Sequence, residues 1–137
     1  MLIIIRGLPG SGKTTLAKHI AGFANSLTKN LEVRDFVAIF EADQFFETAD
    51  GYKFDGTKLR EAHDDCQRRA FDWMKAGKIA IVSNTSTQRW EYQPYLDVAK
   101  MLNMPVQVIE VHGDFGNIHG VPPDKIESMR KRWEPHT

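Results

Sequence analysis

The chain has 137 residues, which suits one domain able to bury roughly 70% of its unfolded surface on folding. Hydrophobic residues make up 42% and charged residues 26%, and 18 basic side chains balance 18 acidic ones, so no bulk charge draws the chain to a polyanion. The single cysteine, Cys66, excludes an internal disulfide framework and fits a reducing compartment.

The chain opens on Met1 to Ile5, an apolar run that stops at Arg6. It is too short for a signal peptide or a membrane span, and no later apolar run approaches ~18 residues, so a cytoplasmic protein is expected. Leu2 to Ile5 reads as a strand buried on both faces. Lys13 to about Leu27 has helical spacing through Leu16, Ile20, Phe23 and Leu27. Phe36 to Phe40 is a second buried strand, and Gly51 and Gly56 mark a loop around Tyr52 and Phe54. Thr57 is the expected cap of a helix carrying Leu59, Cys66, Ala70, Phe71 and Met74, with Gly77 as its stop. Cys66 on that helix reads as a buried structural thiol rather than a reactive one. Ile79 to Val82 is a third strand. Pro94 to Leu102 reads as a helix with Pro94 in its first turn, and Val106 to Val111 as a fourth strand. A loop over residues 112–121 leads to Pro122 and Pro123, which open a last helix through Ile126, Met129 and Trp133.

Strands alternating with helices predict one α/β domain over residues 1–137, a three-layer structure with a mostly parallel sheet of about four strands. Ligands in such folds sit beyond the carboxyl ends of the strands, so chemistry is expected just after residues 5, 40, 82 and 111.

After the first strand stands Gly7-Leu8-Pro9-Gly10-Ser11-Gly12-Lys13-Thr14, the full G-x-x-x-x-G-K-[ST] pattern between a strand and a helix. Its glycines let the main chain approach phosphate oxygens, and its amides join the helix N-terminus in an anion nest. Gly7, Pro9, Gly10, Ser11, Gly12, Lys13, Thr14 and Thr15 are therefore the expected phosphate-binding residues. Lys13 would reach the β and γ phosphates of ATP, and the Thr14 hydroxyl would serve Mg²⁺.

After the second strand comes Glu41-Ala42-Asp43. A carboxylate there faces the γ phosphate and can take the proton of an attacking hydroxyl. Asp43 is the preferred base, and Glu41 reads as an exposed strand end. The third strand runs into Ser83-Asn84-Thr85 without the metal-organising acid of GTPases and many ATPases, and the chain has no N-K-x-D run; both argue against a guanine-nucleotide switch. Asn84 and Thr85 either hold a substrate or a metal-bound water, or simply end a polar strand.

Lys125, Arg130, Lys131 and Arg132 make the last helix basic. In small P-loop kinases a lid helix brings arginines to the transferring phosphoryl group. Arg130 and Arg132, two apart, cannot share a helical face, so one is expected at the site and the other in solvent or on an acid such as Glu134. The plain alternative is a solvated amphipathic helix. The five histidines show no metal spacing, and His119 lies in the loop leading to the lid. Trp73, Trp90 and Trp133 read most simply as core or interface; stacking on a base is the lesser alternative for Trp90 and Tyr92.

Taken together, GLPGSGKTT, EADQFF with GYKFDGTKLREAHDDCQ, IVSNTSTQRWEYQPYLDVA and NIHGVPPDKIESMRKRWE resemble the P-loop kinase group that includes phage polynucleotide 5′-kinases, zeta-toxin-like small kinases and the kinase-like domain of the Nedd-four-binding protein two. The resemblance implies an adenylate-kinase-like core with a C-terminal lid helix, Mg-ATP as donor and a nucleic-acid 5′-hydroxyl as acceptor. It implies Lys13 and Thr14 on phosphates and metal, Asp43 as base, and Arg130 or Arg132 from the lid. Two positions depart from the pattern. Ser83 stands where relatives often carry an aspartate, and Gln44-Phe45-Phe46 follows Asp43 where a phosphate-holding arginine is common; Arg89 is the alternative phosphate contact. A small-molecule kinase and a non-catalytic ATP-binding or ATPase adaptor are the competing readings.

Overall fold

A computed structural model describes residues 1–28, 36–116 and 120–137. His119 lies outside the described residues. The elements run β1 (Leu2–Gly7), α1 (Lys13–Thr28), β2 (Val37–Phe40), β3 (Glu47–Thr48), β4 (Gly51–Tyr52), α2 (Leu59–Lys75), β5 (Ile79–Asn84), α3 (Arg89–Met101), β6 (Val106–Val111) and α4 (Pro123–Lys131). Short 3-10 turns at Ala42–Phe46 and Gly56–Lys58 complete the order. The main sheet has four strands in the order β2-β5-β1-β6, all parallel, and β3 pairs with β4 in a small hairpin. In this register Ile4 lies between Val82 and Val108.

Side chains alternate across the sheet and build a core on each face. Leu2, Ile4, Ala80 and Val82 pack with Ala62, Cys66, Ala70 and Met74 of α2 and with Tyr92, Tyr95 and Ala99 of α3. Ile3, Ile5, Ile79 and Ile81 pack on the other face with Ala17 and Ala21 of α1. The three expected layers are therefore present. Burial pushes the Cys66 thiol above its ordinary value, in line with an unreactive core cysteine.

Local punctuation differs from the reading of the sequence in several places. Thr57 does not cap α2; Asp55 accepts the Thr57 N–H at 3.0 Å and its hydroxyl at 2.6 Å, starting a 3-10 turn that runs into the helix. The third helix begins at Arg89, with Pro94 inside it. A capping box between Gln88 and Glu91 sets that start, and a box outweighs one interior proline because it satisfies donors at the helix end. Phe23 and Leu27 are exposed although they fit the helical spacing. The short residues Ala17 and Ala21 are the ones that let α1 approach the sheet.

Arg6 is the largest departure. Alternation along β1 turns it toward α3, where it is fully buried. Its Nε donates to Ser86 O at 2.9 Å and its Nη2 to Thr87 O at 3.2 Å and Glu134 O at 2.7 Å. Its Nη1 meets the Glu110 carboxylate at 2.8 Å. The guanidinium lies 4.5 Å from the ring centres of both Tyr92 and Trp133. Such a planar fork can satisfy several carbonyls while stacking on rings, which an ammonium cannot. Arg6 thereby fastens the chain end to the sheet.

Glu110 serves the same fastening. Burial pushes its carboxyl up, but the His136 N–H, the His112 ring and Arg6 outweigh this, and the net value falls below the ordinary 4.5. Burial, with Arg89 and Arg6, also lowers His136 below 6.5. Both shifts have the same sign for folding. A depressed carboxylate stabilises the fold above its unfolded value and loses that contribution as pH falls through the folded value. A histidine with a lowered value disfavours the protonated fold below its unfolded value. The fold is therefore expected to weaken in acid, first below 6.5 and again below 4.5. Urea titrations should find the Glu110→Gln variant losing less stability than the wild type between about pH 5 and pH 3. Equal losses would remove Glu110 from the account.

Candidate nucleotide and phosphoryl-transfer site

β1 ends at Gly7 and α1 begins at Lys13, and the loop between them passes in front of the sheet. A Cβ at Gly7 would run into Ser11 Oγ and lie 2.9 Å from Val111 O, so only glycine fits between the loop and β6. Gly12 has φ +94, a left-handed conformation that glycine adopts without strain. No acidic residue occupies the first turn of α1, leaving its N-terminal amides open to an anion. Gly7, Pro9, Gly10, Ser11, Gly12, Lys13, Thr14 and Thr15 thus form one continuous loop and helix start.

The end of β2 faces this loop. The Thr14 hydroxyl donates to Glu41 Oε1 at 2.9 Å. Burial lowers the Lys13 ammonium below its ordinary value, and the charges of Glu41 and Asp43 push it back up, so both carboxylates lie within electrostatic reach of the lysine. Glu41 is therefore not the exposed strand end expected from the sequence. Its neighbours fix the turn that follows. The Gln44 side chain takes the Glu41 N–H at 3.1 Å, Arg69 Nη1 donates to Gln44 Oε1 at 2.6 Å, and Arg69 Nη2 donates to Glu41 O at 3.2 Å. The Tyr52 hydroxyl reaches Asp43 Oδ1 at 3.4 Å.

Other expected residues are engaged elsewhere. Asn84 is buried; its Oδ1 accepts the Ala42 N–H at 2.8 Å and its amide lies 3.7 Å from Cys66 Sγ. It secures the turn that carries Asp43, and its side chain is committed to protein groups. Thr85 is half-buried beside it. Arg89 donates to Gln93 at 2.9 Å and to Thr137 O at 3.0 Å, and it lines a groove of about 950 Å³ between α3 and β6 with Asp97, Lys100 and His136. Arg130 pairs with Glu127 at 3.2 Å in solvent. Arg132 donates to Thr87 Oγ1 at 3.1 Å, not to Glu134, whose carboxylate instead accepts the Arg89 N–H at 2.6 Å. No residue of α4 is buried. These contacts hold Arg130 and Arg132 on Glu127 and Thr87 rather than on the phosphate loop. Tyr92 is buried against Arg6 and presents no face to a base, while Trp90 is 70% exposed rather than core.

Two features escaped the sequence reading. The chain after β6 folds back so that the Phe115 N–H donates to Gly10 O at 2.8 Å, with its ring 3.1 Å from a Cβ placed on Gly12. Gly113, the second residue past an expected strand end, was the available signal; a Cβ there would meet Phe115 and Ser11 O. The second feature, among the described residues, is a pair of buried hydroxyls without partners, Ser11 Oγ and Ser83 Oγ. Buried hydroxyls ordinarily find partners. By alternation with Ile79 and Ile81, Ser83 faces the α1 side of the sheet, the side that carries the phosphate loop. The oxygens of Thr14, Glu41 and Ser83 are hard donors of the kind magnesium takes, and magnesium needs only one or two carboxylates beside phosphates and waters. These residues fit that ion.

Among the described residues no helix is long and apolar enough to cross a membrane. Comparison with known proteins agrees with this architecture. Human NEDD4-binding protein 2 is 31% identical over 144 aligned positions, which take in 98% of this chain but only 8% of that protein. The crystal structure of Chaetomium thermophilum Kti12 with ADP-AlF3 superposes with a TM-score of 0.65 at 16% identity, covering 98% of this chain and 81% of that one. The Mycobacterium tuberculosis APS kinase CysC gives 0.59 at 13% identity, covering 96% and 94%. The model of the AAA domain family matches residues 2–115, from the first strand to the phenylalanine lying over Gly12, and the chain belongs to that family, with the fold of P-loop kinase-like domains.

Proposed function

We propose that this chain is an ATP-dependent phosphotransferase that delivers the γ phosphate to a hydroxyl, with the 5′-hydroxyl of a polynucleotide as acceptor. The observation that carries the reading is the convergence of Lys13, Thr14, Glu41 and Asp43 at the mouths of β1 and β2. A phosphate loop alone binds nucleotide. Two carboxylates beside it separate the tasks of metal support and proton acceptance, because Glu41 holds the Thr14 hydroxyl and Asp43 does not.

In this reading the amides of residues 10–14 and Lys13 hold the β and γ phosphates. Thr14 and Glu41 hold Mg²⁺, which when bound neutralises charge on the phosphate oxygens. Asp43 accepts the proton of the acceptor hydroxyl as its oxygen bonds to the γ phosphorus and the bond to the bridging oxygen breaks, releasing ADP. The turn at Ala42–Phe46, pinned by Asn84 and Arg69, keeps that carboxylate in place. Arg130 and Arg132 leave Glu127 and Thr87 when α4 closes, bringing positive charge to the transferring group.

The test is transfer of labelled γ phosphate from Mg-ATP to a 5′-hydroxyl oligonucleotide, beside a panel of nucleosides and other small alcohols. Label on the oligonucleotide that vanishes with Lys13→Ala is the expected result. Label on a small alcohol alone would move the acceptor to that class. ATP binding without label anywhere would make the domain a nucleotide-binding adaptor.

A further inference from the structure

The segment that follows Asp43 is unusually aromatic. Phe45 and Phe46 end the 3-10 turn, and β3 and β4 then return Tyr52 and Phe54 to the same place. Phe46 is buried and acts as the anchor. Its ring centre lies 5.1 Å from that of Phe54, 6.2 Å from that of Tyr52 and 5.4 Å from that of Phe45, all edge-to-face. The hairpin is held by the Lys53 N–H to Phe46 O bond at 2.9 Å and by Thr48 Oγ1 to Gly51 O at 2.7 Å. Yet Phe54 is 56% exposed and Tyr52 is 41% exposed. Edge-to-face packing on one buried ring fixes the outer rings while leaving them in contact with water. The Tyr52 hydroxyl also ties this surface to Asp43.

Charge indicates what such a surface suits. Glu47, Asp50 and Asp55 stand against Lys53 and Lys58 along the hairpin and the turn after it, so the stretch has no excess of positive charge. Lys53 is itself 3.7 Å from Asp50. Gln44, Phe45 and Phe46 supply no cation beside Asp43. Arg69, the cation on this turn, is engaged by Asp65, Gln44 and Glu41 O, so the hairpin offers an acceptor aromatic faces more than positive charge. The available contact is with a flat, uncharged group, and every nucleobase has a face suited to it.

Resting on the phosphotransferase reading above, we infer that Phe54 and Tyr52 form the acceptor platform, stacking the 5′-terminal nucleobase so that its sugar hydroxyl lies at Asp43. Specificity for a polynucleotide end then comes from the terminal base more than from backbone charge. Of the aromatic pair singled out from the sequence, Tyr92 is buried under Arg6 and offers no face to a base.

The experiment compares two 5′-hydroxyl oligonucleotides that differ only at the first residue, one with a base and one with a tetrahydrofuran abasic unit. Base stacking on a single aromatic ring is worth roughly five- to a hundredfold. The wild type should lose that much in kcat/KM on the abasic substrate. Phe54→Ala should lose a similar amount on the normal substrate and nothing more on the abasic one, and Phe54→Leu, which keeps an apolar side chain on Phe46 but no flat ring, supplies a second variant with the same expected pattern. Equal wild-type rates on the two substrates would overturn the platform and leave the kinase reading standing. So would a Phe54→Ala enzyme that still discriminates in full. Failure to label any oligonucleotide would overturn the polynucleotide acceptor and the platform with it.

Discussion

Replacing Arg6 with methionine is expected to destabilise the fold by about 3–5 kcal/mol, the range for breaking a buried ion pair by removing one partner. The cost comes from what is left behind. Methionine fills much of the space between Tyr92 and Trp133 but donates nothing, so the carbonyls of Ser86, Thr87 and Glu134 and the carboxylate of Glu110 lose their shared donor. Thr87 O keeps the Glu134 N–H and Glu110 keeps the His136 N–H, so the Ser86 and Glu134 carbonyls are the ones left short, and a buried acceptor without a donor costs roughly 1–3 kcal/mol before relaxation. The expected drop in Tm is on the order of 10 °C or more for a chain of this length. Arg6→Lys should recover only part of the loss, since one ammonium cannot serve a fork of carbonyls and stack on two rings. Urea and thermal unfolding of the two variants provide the check. A loss under about 1 kcal/mol for Arg6→Met would mean that the tail is held by packing alone.

The second large effect concerns the two carboxylates. Asp43→Asn should lower kcat for phosphoryl transfer by roughly 10²–10⁴-fold, the usual worth of a positioned base, with little change in nucleotide affinity. Glu41→Gln should act differently. It keeps the turn, because Arg69 and Gln44 contact the Glu41 backbone, but it weakens the carboxylate that faces Thr14. Its signature is a raised magnesium requirement, with activity partly restored at high magnesium. Transfer rates measured against magnesium for both variants separate the roles. Full activity in Asp43→Asn with collapse in Glu41→Gln would reassign the base to Glu41.

Much of this site was legible in the residues. A phosphate loop is a local object: its glycine spacing, lysine and threonine lie within eight positions, and a strand before and a helix after complete the context. The four strands were legible for a similar reason, since strands covered on both faces are continuous apolar runs. Details set by capping were not. Asp55 and Thr57 are both acceptable caps in sequence, and the geometry of the 3-10 turn chose the aspartate. Pro94 signals a helix start, yet the Gln88–Glu91 box placed that start earlier.

The side-chain partners were the least legible part. Glu41 and Asp43 are both acids just past a strand. Which one receives the Thr14 hydroxyl depends on how β2 ends against α1, a contact 27 positions apart in the chain. Asn84 could equally have faced a ligand, and the path of the turn after β2 gave it Ala42 instead. Arg130 and Arg132 carry the composition of a lid, but their partners in this conformation are Glu127 and Thr87.

The sequence by itself determined the layered α/β fold and the phosphate loop, because both arise from short-range pattern: continuous apolar strands, helical spacing, and eight residues whose backbone is the binding site. Only the tertiary structure decided that Arg6 is a buried clamp on the chain end, that Glu41 rather than Asp43 joins Thr14, and that Tyr52 meets Asp43 while Phe54 packs on Phe46. Those outcomes depend on which strand lies next to which and on what each loop meets on its return. Distance along the chain carries little of that information, and packing supplies it.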